Sequence, residues 1–457
     1  MHNKVVTLCF SMMMILAFHG AAASVSAVDP VTHWVAQAGD EVGTGTSCED
    51  PGYVGDTHAV VIEAIEAAAT GDTVHICAGT YLFGASGSVD IADDVTVEGD
   101  GPSQTILDGD GDWYLMSIDS AEDIVIRDLA VVNGYDVYGA GIYIDGSSFL
   151  IDNVRFDGNH AGTDGGGGLY AYQSNGVVTD SVFHANSAEW GGAIVIDDSN
   201  LEVRDSSFTE NYTDRDAEVM EPDYGGAAIY LYGGSLDVQG STFTENETAA
   251  LSSGAAIHVY EGALSVDDST FSRNRAVQGA AIYLYGPSDE DGLADDPDYD
   301  SSSAVTITNS SFVGNRTLAL EDGGAIAHER SGRDVTISGN VFTRNTGASF
   351  GGAIETWLVY GALEISDNYF TGNSAEEGGA LWVDVRNGVA DITDNRFKGN
   401  RARTGGAIAF ECEVTSARGV LSSLTRSNRY MSNSARAPRS SANVWASRYV
   451  TSAADCD

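Results

Sequence analysis

Apolar and polar residues alternate with a period of two along most of this chain, and turn-forming residues interrupt the alternation at regular places. One unit runs from Gly191 to Asn211: a Gly-Gly-Ala-Ile-Val-Ile-Asp segment, a Leu-Glu-Val segment at Leu201–Val203, and Phe208 three residues before Asn211. Period-two alternation predicts short β-strands, and helical periodicity is absent from this region. The unit therefore consists of strands joined by Gly and Asn turns.

The unit is repeated along the chain. The motif Phe-x-x-Asn occurs nine times, with a tenth, weaker copy at Tyr430 and Asn433, and it alternates with ten Gly/Ala-rich steps that end in Ile or Leu. Most copies lie 25 to 28 residues apart. Such a period is typical of stacked supersecondary units. The motif phenylalanines are Phe156, Phe183, Phe208, Phe243, Phe271, Phe312, Phe342, Phe370 and Phe397, and the Gly/Ala-rich steps end at Ile142, Leu169, Ile194, Ile229, Ile257, Ile282, Ile326, Ile354, Leu381 and Ile408.

The predicted fold is all-β: a single-stranded parallel β-helix of about 12 coils, in which each unit forms one coil and pairs with the next at roughly 4.8 Å. Phe points inward and stacks from coil to coil. Asn tolerates left-handed backbone geometry, and its amide can bond the same amide one coil away. The Gly pair permits positive φ and close backbone approach at a corner. These motifs are therefore interpreted as scaffold rather than as chemistry.

The N-terminal part predicts a cap. Residues 57–69 carry apolar residues at helical spacing, and the strand-turn segment Asp72–Tyr81 follows. A short amphipathic helix here would cover the first coil, as terminal repeats require. The predicted organisation is a signal peptide at 1–27, an N-terminal cap leading into the β-helix at 28–90, repeats at 91–435 and a C-terminal cap at 436–457.

The first residues predict export. Lys4, an apolar run from Leu8 to Ala17 and a small-residue site at Val25–Ala27 are typical of a secretory signal peptide. Four cysteines remain beyond it, and an exported protein uses such cysteines in disulfides. Three pairings are possible. Because one pair lies near each end of the chain, Cys48–Cys77 and Cys412–Cys456 are favoured.

The net charge of the protein restricts the kinds of partner that it can bind. The formal net charge is −45, which opposes binding to nucleic acid and favours solubility of a monomer. The chain from Arg396 onward is locally basic, with ten basic and four acidic residues. No later stretch of about 18 apolar residues predicts a membrane span. We expect a protein that acts outside the cytoplasm, secreted or at the surface of a bacterial cell.

The alternation of inward and outward side chains along the strands predicts a stripe of aromatic residues on the outside of the coil. If Ile194 and Ile196 point inward, then Val195 and Asp197 point outward, since side chains alternate. The alternative is that tyrosine simply suits strands and coil-to-coil stacking. A stripe that is exposed instead indicates a binding face, for example for sugar rings. The same phase places His258 and the carboxylates of Asp145, Asp197, Glu329, Glu355, Asp384 and Glu411 beside it. The candidate ligand-binding residues are Tyr143, Tyr170, Tyr172, Tyr230, Tyr232, Tyr260, Tyr283, Tyr285, Trp357 and Trp382.

One acidic insertion predicts a calcium site, and calcium is the one candidate cofactor. Its Asp-x-Asp-Gly-x-x-Asp-x-x-Asp spacing is similar to extracellular calcium loops, whose carboxylates supply oxygen ligands. The alternative is a solvated acidic loop. The candidate ligands are Asp289, Asp291, Asp295 and Asp298, and a weaker candidate group is Asp108, Asp110 and Asp112.

The alternating Gly-Gly-Ala-Ile and Phe-x-x-Asn motifs resemble the repeats of the chlamydial polymorphic outer-membrane proteins. The segment from Gly71 to Tyr81 resembles the start of many pectin-lyase-like β-helices. The resemblance covers roughly residues 55 to 435. It implies a right-handed β-helix that is secreted or exposed at the cell surface, and it implies adhesion as the usual role.

Three functions remain open. The first is a non-catalytic adhesin or binding protein for a glycan or protein ligand. The second is a polysaccharide lyase or glycoside hydrolase, which would need two converging carboxylates; the Asn-Thr-Asp, Asp-Asp and His-Gly pattern of polygalacturonases is absent from the sequence, as are GxSxG, HExxH and phosphate loops. The third is a passive component of the cell envelope. The sequence favours the first.

Overall fold

A computed structural model shows a parallel β-solenoid of about 11 turns, and all named strand pairs in it are parallel. One compact unit runs from Val31 onward. The structure describes residues 29–39, 41–84, 88–92, 94–111, 113–214, 225–249, 252–286, 303–318, 323–329, 331–359, 361–385, 390–411, 427–436 and 444–447. The predicted all-β parallel β-helix is confirmed.

Each turn carries three main strands, which stack into three faces. The first, here called the GGAI face, is formed by the strands that follow the Gly/Ala-rich steps. Two long strands, Ile194–Arg204 and Ile229–Gln239, continue around the corner onto the second face. The other GGAI-face strands are Val89–Ile91, Met116–Asp119, Ile142–Asp145, Leu169–Tyr172, Ile257–Val259, Ile282–Tyr285, Ile326–Glu329, Ile354–Val359, Leu381–Val385, Ile408–Glu411 and Val444–Ser447.

The second face consists of the strands that follow next in each turn. Its first strand, Thr32–Ala36, pairs with Thr73–Ile76 and with the short strand Tyr53–Val54. The remaining second-face strands are Thr96–Gly99, Ile124–Arg127, Ser148–Asp152, Asn175–Thr179, Ala263–Asp267, Val305–Thr308, Val335–Ser338, Leu363–Ser366 and Ala390–Thr393.

The third face, here called the FxxN face, carries the Phe-x-x-Asn motifs. Its strands are Gly79–Leu82, Thr105–Asp108, Ala130–Val132, Arg155–Asp157, Val182–His184, Ser207–Thr209, Thr242–Thr244, Thr270–Ser272, Ser311–Val313, Val341–Thr343, Tyr369–Thr371, Arg396–Lys398 and Arg429–Met431. Short strands lead from this face into the next turn: Tyr135–Asp136, His160–Ala161, Ser187–Ala188, Tyr212–Thr213, Arg275–Ala276, Arg316–Thr317, Arg401–Ala402 and Ser434–Ala435.

The motif phenylalanines form one continuous stack in the core. Phe271 lies 4.8 Å from Phe243 and 4.9 Å from Phe312, measured between ring centroids, with the rings within 4° of parallel. The stack starts at Phe156 and ends on Tyr430, which takes the Phe position in the weak last copy. All nine phenylalanines are fully buried. The inward position predicted for Phe is confirmed.

The motif asparagines form a buried hydrogen-bond ladder. Asn186 donates from Nδ2 to Oδ1 of Asn211 (3.1 Å) and to the carbonyl of Phe156 (3.1 Å), and its backbone N–H donates to the same Oδ1 (3.0 Å). The predicted amide ladder is therefore present. The expectation that Asn itself takes the left-handed conformation is wrong: the residue before it does, as at Glu210 (φ 56°) and Arg273 (φ 55°). The left-handed residue therefore makes the backbone turn directly before the buried Asn.

The Gly pair acts at the corner into the GGAI face as predicted. Gly191 has φ 56°, which disfavours other residues. Gly192 lies so close to the next turn that a Cβ atom would come within 2.4 Å of the carbonyl oxygen of Ala227. The first glycine therefore makes the tight backbone bend at the corner, and the second lets successive turns of the solenoid pack closely.

The N-terminal cap is a helix, as predicted. Helix α1, His58–Ala67, buries Val60, Val61, Ala64 and Ile65 against the first strands of the core. Near it, Cys48 and Cys77 form a disulfide, as predicted. This disulfide fixes the segment before α1 to the end of the strand Thr73–Ile76.

Several predictions fall outside the described residues. They are the signal peptide at 1–27, the calcium candidates Asp289, Asp291, Asp295 and Asp298, residue Asp112, and the second cysteine pair, Cys412 and Cys456. Of the predicted C-terminal cap, the structure describes Arg436 and the strand Val444–Ser447, whose backbone pairs with Ile408–Glu411 and extends the GGAI face by one strand.

Candidate ligand-binding face

The GGAI face presents two columns of outward side chains. The register aligns Tyr143 with Tyr170, and Asp197 with Tyr172 on one side and Tyr232 on the other. The residues that alternate with these columns along each strand, such as Ile194 and Ile196, belong to the main core. The alternation expected from the sequence therefore holds along this face.

The exposure of the aromatic residues differs from the prediction. Tyr232 is exposed at 42%, and Tyr143, Tyr170, Tyr172, Tyr260 and Trp357 are partly buried. The expectation of an exposed stripe is wrong for Tyr230, Tyr283, Tyr285 and Trp382, which are all buried. Strand alternation sets the side of the sheet on which a side chain lies, but not what packs over it.

Tyr283 shows the physical reason. It packs with Tyr285 and Ala327 in an apolar cluster separate from the main core. Its hydroxyl donates to Oε2 of Glu329 (3.2 Å), and Gln278 Nε2 donates to Oε1 of the same carboxylate (2.7 Å). Tyr283 is thus held in a buried polar and apolar network outside the coil.

The carboxylates of this part of the face are buried as well. Glu329, Glu355 and Asp384 are exposed by 4%, 1% and 0%. They are therefore not positioned, in this conformation, to accept hydrogen bonds from a ligand in solution. Only the backbone of Glu411 is described.

The accessible part of the face is a cleft over the turns from Tyr138 to Tyr260, here called the aromatic cleft. It consists of two cavities of about 180 and 280 Å³ that share Tyr170 and Asp197. The smaller cavity is also lined by Tyr138, Tyr143, Asp164 and Tyr172, and the larger by Trp190, Val195, Tyr230, Tyr232 and Tyr260.

The rings are arranged differently at the two ends of the cleft. At one end, Tyr232 and Tyr260 are stacked with centroids 5.4 Å apart and planes 17° apart. At the other, Tyr143 and Tyr170 lie 5.7 Å apart at 40°, and Tyr138 is 5.6 Å from Tyr143. One end is therefore a nearly flat aromatic ladder, and the other is a concave group of tilted rings.

Asp164 is a cleft residue that the sequence analysis missed. It lies in the connection between His160–Ala161 and Leu169–Tyr172, and its Oδ1 accepts a hydrogen bond from the N–H of Gly165 (2.9 Å). This connection is two residues longer than its counterpart after Asn186, which is a signal that could have drawn attention to it. Burial raises the pKa of Asp164 to about 6, and the charges of Glu189 and Asp197 add to the shift.

Asp197 lies between the two cavities. Its Oδ2 accepts a hydrogen bond from the hydroxyl of Tyr170 (2.9 Å). Burial raises the pKa of Asp197, although this hydrogen bond opposes the shift. Burial and the neighbouring Asp197 raise the pKa of Tyr170, so this phenol stays neutral and donates. The cleft thus combines two desolvated carboxyl groups with neutral phenols.

Larger concavities lie elsewhere on the described surface, among them one of about 600 Å³ at Tyr212 and Glu247, and none of them has a group of aromatic rings like that of the aromatic cleft. Another, of about 590 Å³, follows the second face from Asp123 to Asp237 and lacks a tyrosine or tryptophan among its described lining. A third, of about 780 Å³, is lined by Arg401, Arg403 and Arg436 beside Glu376, and Arg403 is already paired with Glu376 and Glu377.

The described residues bring one group of three potential metal ligands within 4.8 Å of one another: Cys48, His75 and Cys77. Both sulfurs are joined in the disulfide, so this group is a covalent link rather than a metal centre. Asp108 accepts hydrogen bonds from Asn133 Nδ2 (2.9 Å) and from the backbone of Asp110 (3.0 Å). These bonds give Asp108 a structural role.

The coiled architecture agrees with a match between the sequence and a known family. The family described as right handed beta helix region matches residues 117–293 and 223–397. Together these ranges cover more than half of the chain. The chain belongs to this family. No curated protein matches the sequence.

Solved structures similar to this right-handed β-helix come from proteins with different activities. The catalytic unit of a thermostable GH87 α-1,3-glucanase from Streptomyces thermodiastaticus has 15% identity and a TM-score of 0.43, over 94% of this chain and 72% of that one. PfbA, a surface adhesin of Streptococcus pneumoniae, has 14% identity and a TM-score of 0.43, over 85% and 89%. The A-module of a mannuronan C-5 epimerase from Azotobacter vinelandii has 13% identity and a TM-score of 0.28, over 85% and 94%.

No helix among the described residues is long and apolar enough to cross a membrane.

Proposed function

We propose that this protein is an exported, non-catalytic binding protein that holds an extended glycan chain along the aromatic cleft. The observation that carries the proposal is the combination of a flat tyrosine ladder with a cavity that contains carboxyl groups. Tyr232 and Tyr260 offer stacked ring faces, and Asp197 lies in the same cavity. Sugar rings present apolar faces and hydroxyl edges, so they need both kinds of group.

The geometry of the solenoid fits a chain better than a single small molecule. Tyr232 and Tyr260 come from consecutive turns, which lie roughly 4.8 Å apart. The smaller cavity continues the cleft toward Tyr143, two strands before Asp197 on the same face. An extended polymer can therefore contact several turns at once and gain affinity from many weak contacts.

The sequence supports action outside the cytoplasm. Residues 1–27 have the pattern of a signal peptide, the Cys48–Cys77 disulfide suits an oxidising compartment, and the motifs resemble the repeats of chlamydial polymorphic outer-membrane proteins. We propose secretion or cell-surface display, action as a monomer, and a glycan as the ligand in preference to a protein. Calcium at the 289–298 insertion remains a separate proposal, which calcium titration would test.

The test is a double variant, Tyr232→Ala with Tyr260→Ala, assayed for retention on a panel of soluble and insoluble polysaccharides. We expect retention to fall at least about tenfold, because the loss of two contacting aromatic rings exceeds about 1.4 kcal/mol. The matched control is Tyr135→Ala with Tyr212→Ala, which removes two tyrosines of similar exposure (46% and 44%) that lie on the short strands away from the GGAI face.

The control variant should bind like the wild type, and circular dichroism should show that both variants keep the fold. Equal binding by the two double variants would contradict the proposal. In that case the tyrosines of the GGAI face would only reflect strand preference, and the function would have to reside in another surface.

One observation favours a second candidate, a glycoside hydrolase. Asp164 and Asp197 line one cavity, and burial raises the pKa of Asp164 to about 6, so Asp164 can hold a proton that a general acid would donate to a leaving sugar oxygen. The polysaccharides that the protein retains should therefore be incubated with it and assayed for new reducing ends. Reducing ends that disappear in the Asp164→Asn variant would replace the binding proposal with the enzymatic one.

A further inference from the structure

The smaller cavity of the aromatic cleft is built as a cage. Tyr138, Tyr143, Tyr170 and Tyr172 line it together with Asp164 and Asp197, and these residues are here called the tyrosine cage. Tyr138 lies 5.6 Å from Tyr143 and 5.9 Å from Tyr170, with ring planes 43° and 60° apart. The rings are tilted around a space of about 180 Å³ and do not form a flat stacking surface.

The charges at this cage are all of one sign. Asp164 and Asp197 line the cavity, and Asp145, Glu189 and Asp198 act electrostatically on its members. Among the residues that the structure describes, neither cavity of the cleft is lined by a lysine, arginine or histidine. Partly desolvated carboxylates without a cation are unfavourable, so a ligand that brings a positive charge would be stabilised here.

We propose that the tyrosine cage binds the ammonium group of a cationic amino-sugar chain, an inference that rests on the glycan-binding function proposed above. Aromatic ring faces attract organic cations through the ring quadrupole, and attraction increases when the cation is desolvated. The carboxylates supply the opposite charge. Meanwhile the ladder at Tyr232 and Tyr260 holds the following sugars by ring contact.

The same charges exclude the other common class of charged polysaccharide. A polyuronate would place further carboxylates beside Asp145, Asp164 and Asp197, in a protein whose net charge is −45. Like charges in a partly buried site repel strongly. The hydroxyls of a neutral chain could donate hydrogen bonds to the cage carboxylates, but such a chain would bring no opposite charge to them. An amino sugar in its ammonium form satisfies both the rings and the carboxylates.

The proposal also predicts that binding of a cation changes the protonation of Asp164. A cation in the cage would stabilise the ionised form of Asp164, whose pKa is raised to about 6 mainly by burial, with Glu189 and Asp197 adding to it. Binding should therefore release protons near pH 6 and strengthen as pH rises through about 6. Burial raises the pKa of Tyr143 to about 12, so the phenols stay neutral over this range and do not contribute to the change.

The experiment uses calorimetry on the full chain with choline and with the neutral isostere in which carbon replaces the nitrogen of choline. Choline keeps its charge at every pH, so any pH dependence comes from the protein. We expect choline to bind at least about tenfold more tightly than the isostere, with affinity increasing between about pH 5 and about pH 7.5. Buffers of different ionisation enthalpy should reveal proton release on binding.

The variant Asp164→Asn should lower choline affinity and reduce both the pH dependence and the proton release, of which Asp197 can supply the remainder because burial raises its pKa as well. The control is Asp119→Asn. Asp119 is exposed and lies on the GGAI face in the same outward column as Asp145 and Asp197, one strand before Asp145. This control variant should behave like the wild type. Equal affinity for choline and its isostere, or an Asp164→Asn variant that binds choline like the wild type, would overturn the cage assignment.

A second arm compares a glucosamine tetramer with an N-acetylglucosamine tetramer near pH 6. Preference for glucosamine that is lost in Asp164→Asn supports the proposal, and choline binding without any preference for glucosamine overturns the amino-sugar assignment. This result can be distinguished from a failure of the glycan-binding proposal. If only the cage assignment were wrong, the protein would still retain neutral polysaccharides, and that retention would still depend on Tyr232 and Tyr260.

Discussion

The Phe271→Ala substitution removes one ring from the middle of the core stack. Phe271 is fully buried and stacks on Phe243 at 4.8 Å and on Phe312 at 4.9 Å. Both neighbours are fixed by their own strands, which pair with Thr270–Ser272 residue by residue. The surrounding turns therefore cannot close the space easily, and a cavity should remain.

The expected loss of unfolding free energy is about 5 kcal/mol. Truncation of a buried Phe costs about 3 to 5 kcal/mol, and each aromatic pair adds about 0.5 to 1.5 kcal/mol beyond its buried area. Two pairs are lost here, which places the site at the upper end. In a repeat array each unit contacts only its neighbours, so the variant should also unfold in two steps, with the damaged middle opening first.

Urea titration monitored by circular dichroism and by tryptophan fluorescence tests both expectations. The matched control is Val341→Ala on the same face, because Val341 is 40% exposed and such a surface change costs no more than about 0.5 kcal/mol. If Phe271→Ala and Val341→Ala shifted the urea midpoint by similar amounts, the stack would not be the main support of this face, and the reasoning from burial would be wrong.

Three further predictions concern stability. Burial lowers the pKa of His258 and His328 to about 3, and Arg333 adds to both shifts. An unfolded histidine titrates near about 6.5, so the stability that the two neutral histidines contribute should be fully present above about pH 6.5. Below that pH the free energy of unfolding should fall, until about pH 3, by about 1.4 kcal/mol per pH unit for each histidine. Urea midpoints across this range measure the slope, and His328→Leu should reduce it. Cys48→Ser, which breaks the disulfide to Cys77, should lower hydrogen-exchange protection in the first turns and leave the central turns unchanged; uniform loss would contradict this. Tyr283→Ala should cost about 3 kcal/mol, as for a core residue, and a loss near zero in thermal unfolding would show that the outer cluster contributes little.

Much of the fold could be predicted from the sequence because its determinants are local and repeated. Phe208 and Asn211 recur at a fixed spacing, and each copy makes the same contacts to the copy before and after it. Gly191 and Gly192 are required by a backbone turn that is the same in each coil. One local detail was missed: the left-handed residue is the one before Asn, which side-chain preferences alone do not indicate.

The candidate site was only partly predictable. Strand alternation placed Tyr143 and Tyr283 on the same outer side, yet Tyr143 lines an open cavity and Tyr283 is buried beneath other groups. Asp164 was not identified, because it lies in a connection where no periodic pattern applies. Tyr283 is buried by contacts with Tyr285, Ala327 and Glu329, which strand alternation alone does not specify.

By itself, the sequence determined the parallel coil, its inner columns of Phe and Asn and the N-terminal helix, and it favoured the pairing of Cys48 with Cys77 among three possible pairings. These features depend on a residue's own neighbours or on the same position one repeat away. The tertiary structure alone decided which part of the GGAI face is open, and that Asp164 reaches the same cavity as Asp197. The decision rests on individual contacts, such as those of Tyr283 with Ala327 and Glu329 and of Asp164 with Gly165, because strand alternation fixes only the side of the sheet on which a side chain lies.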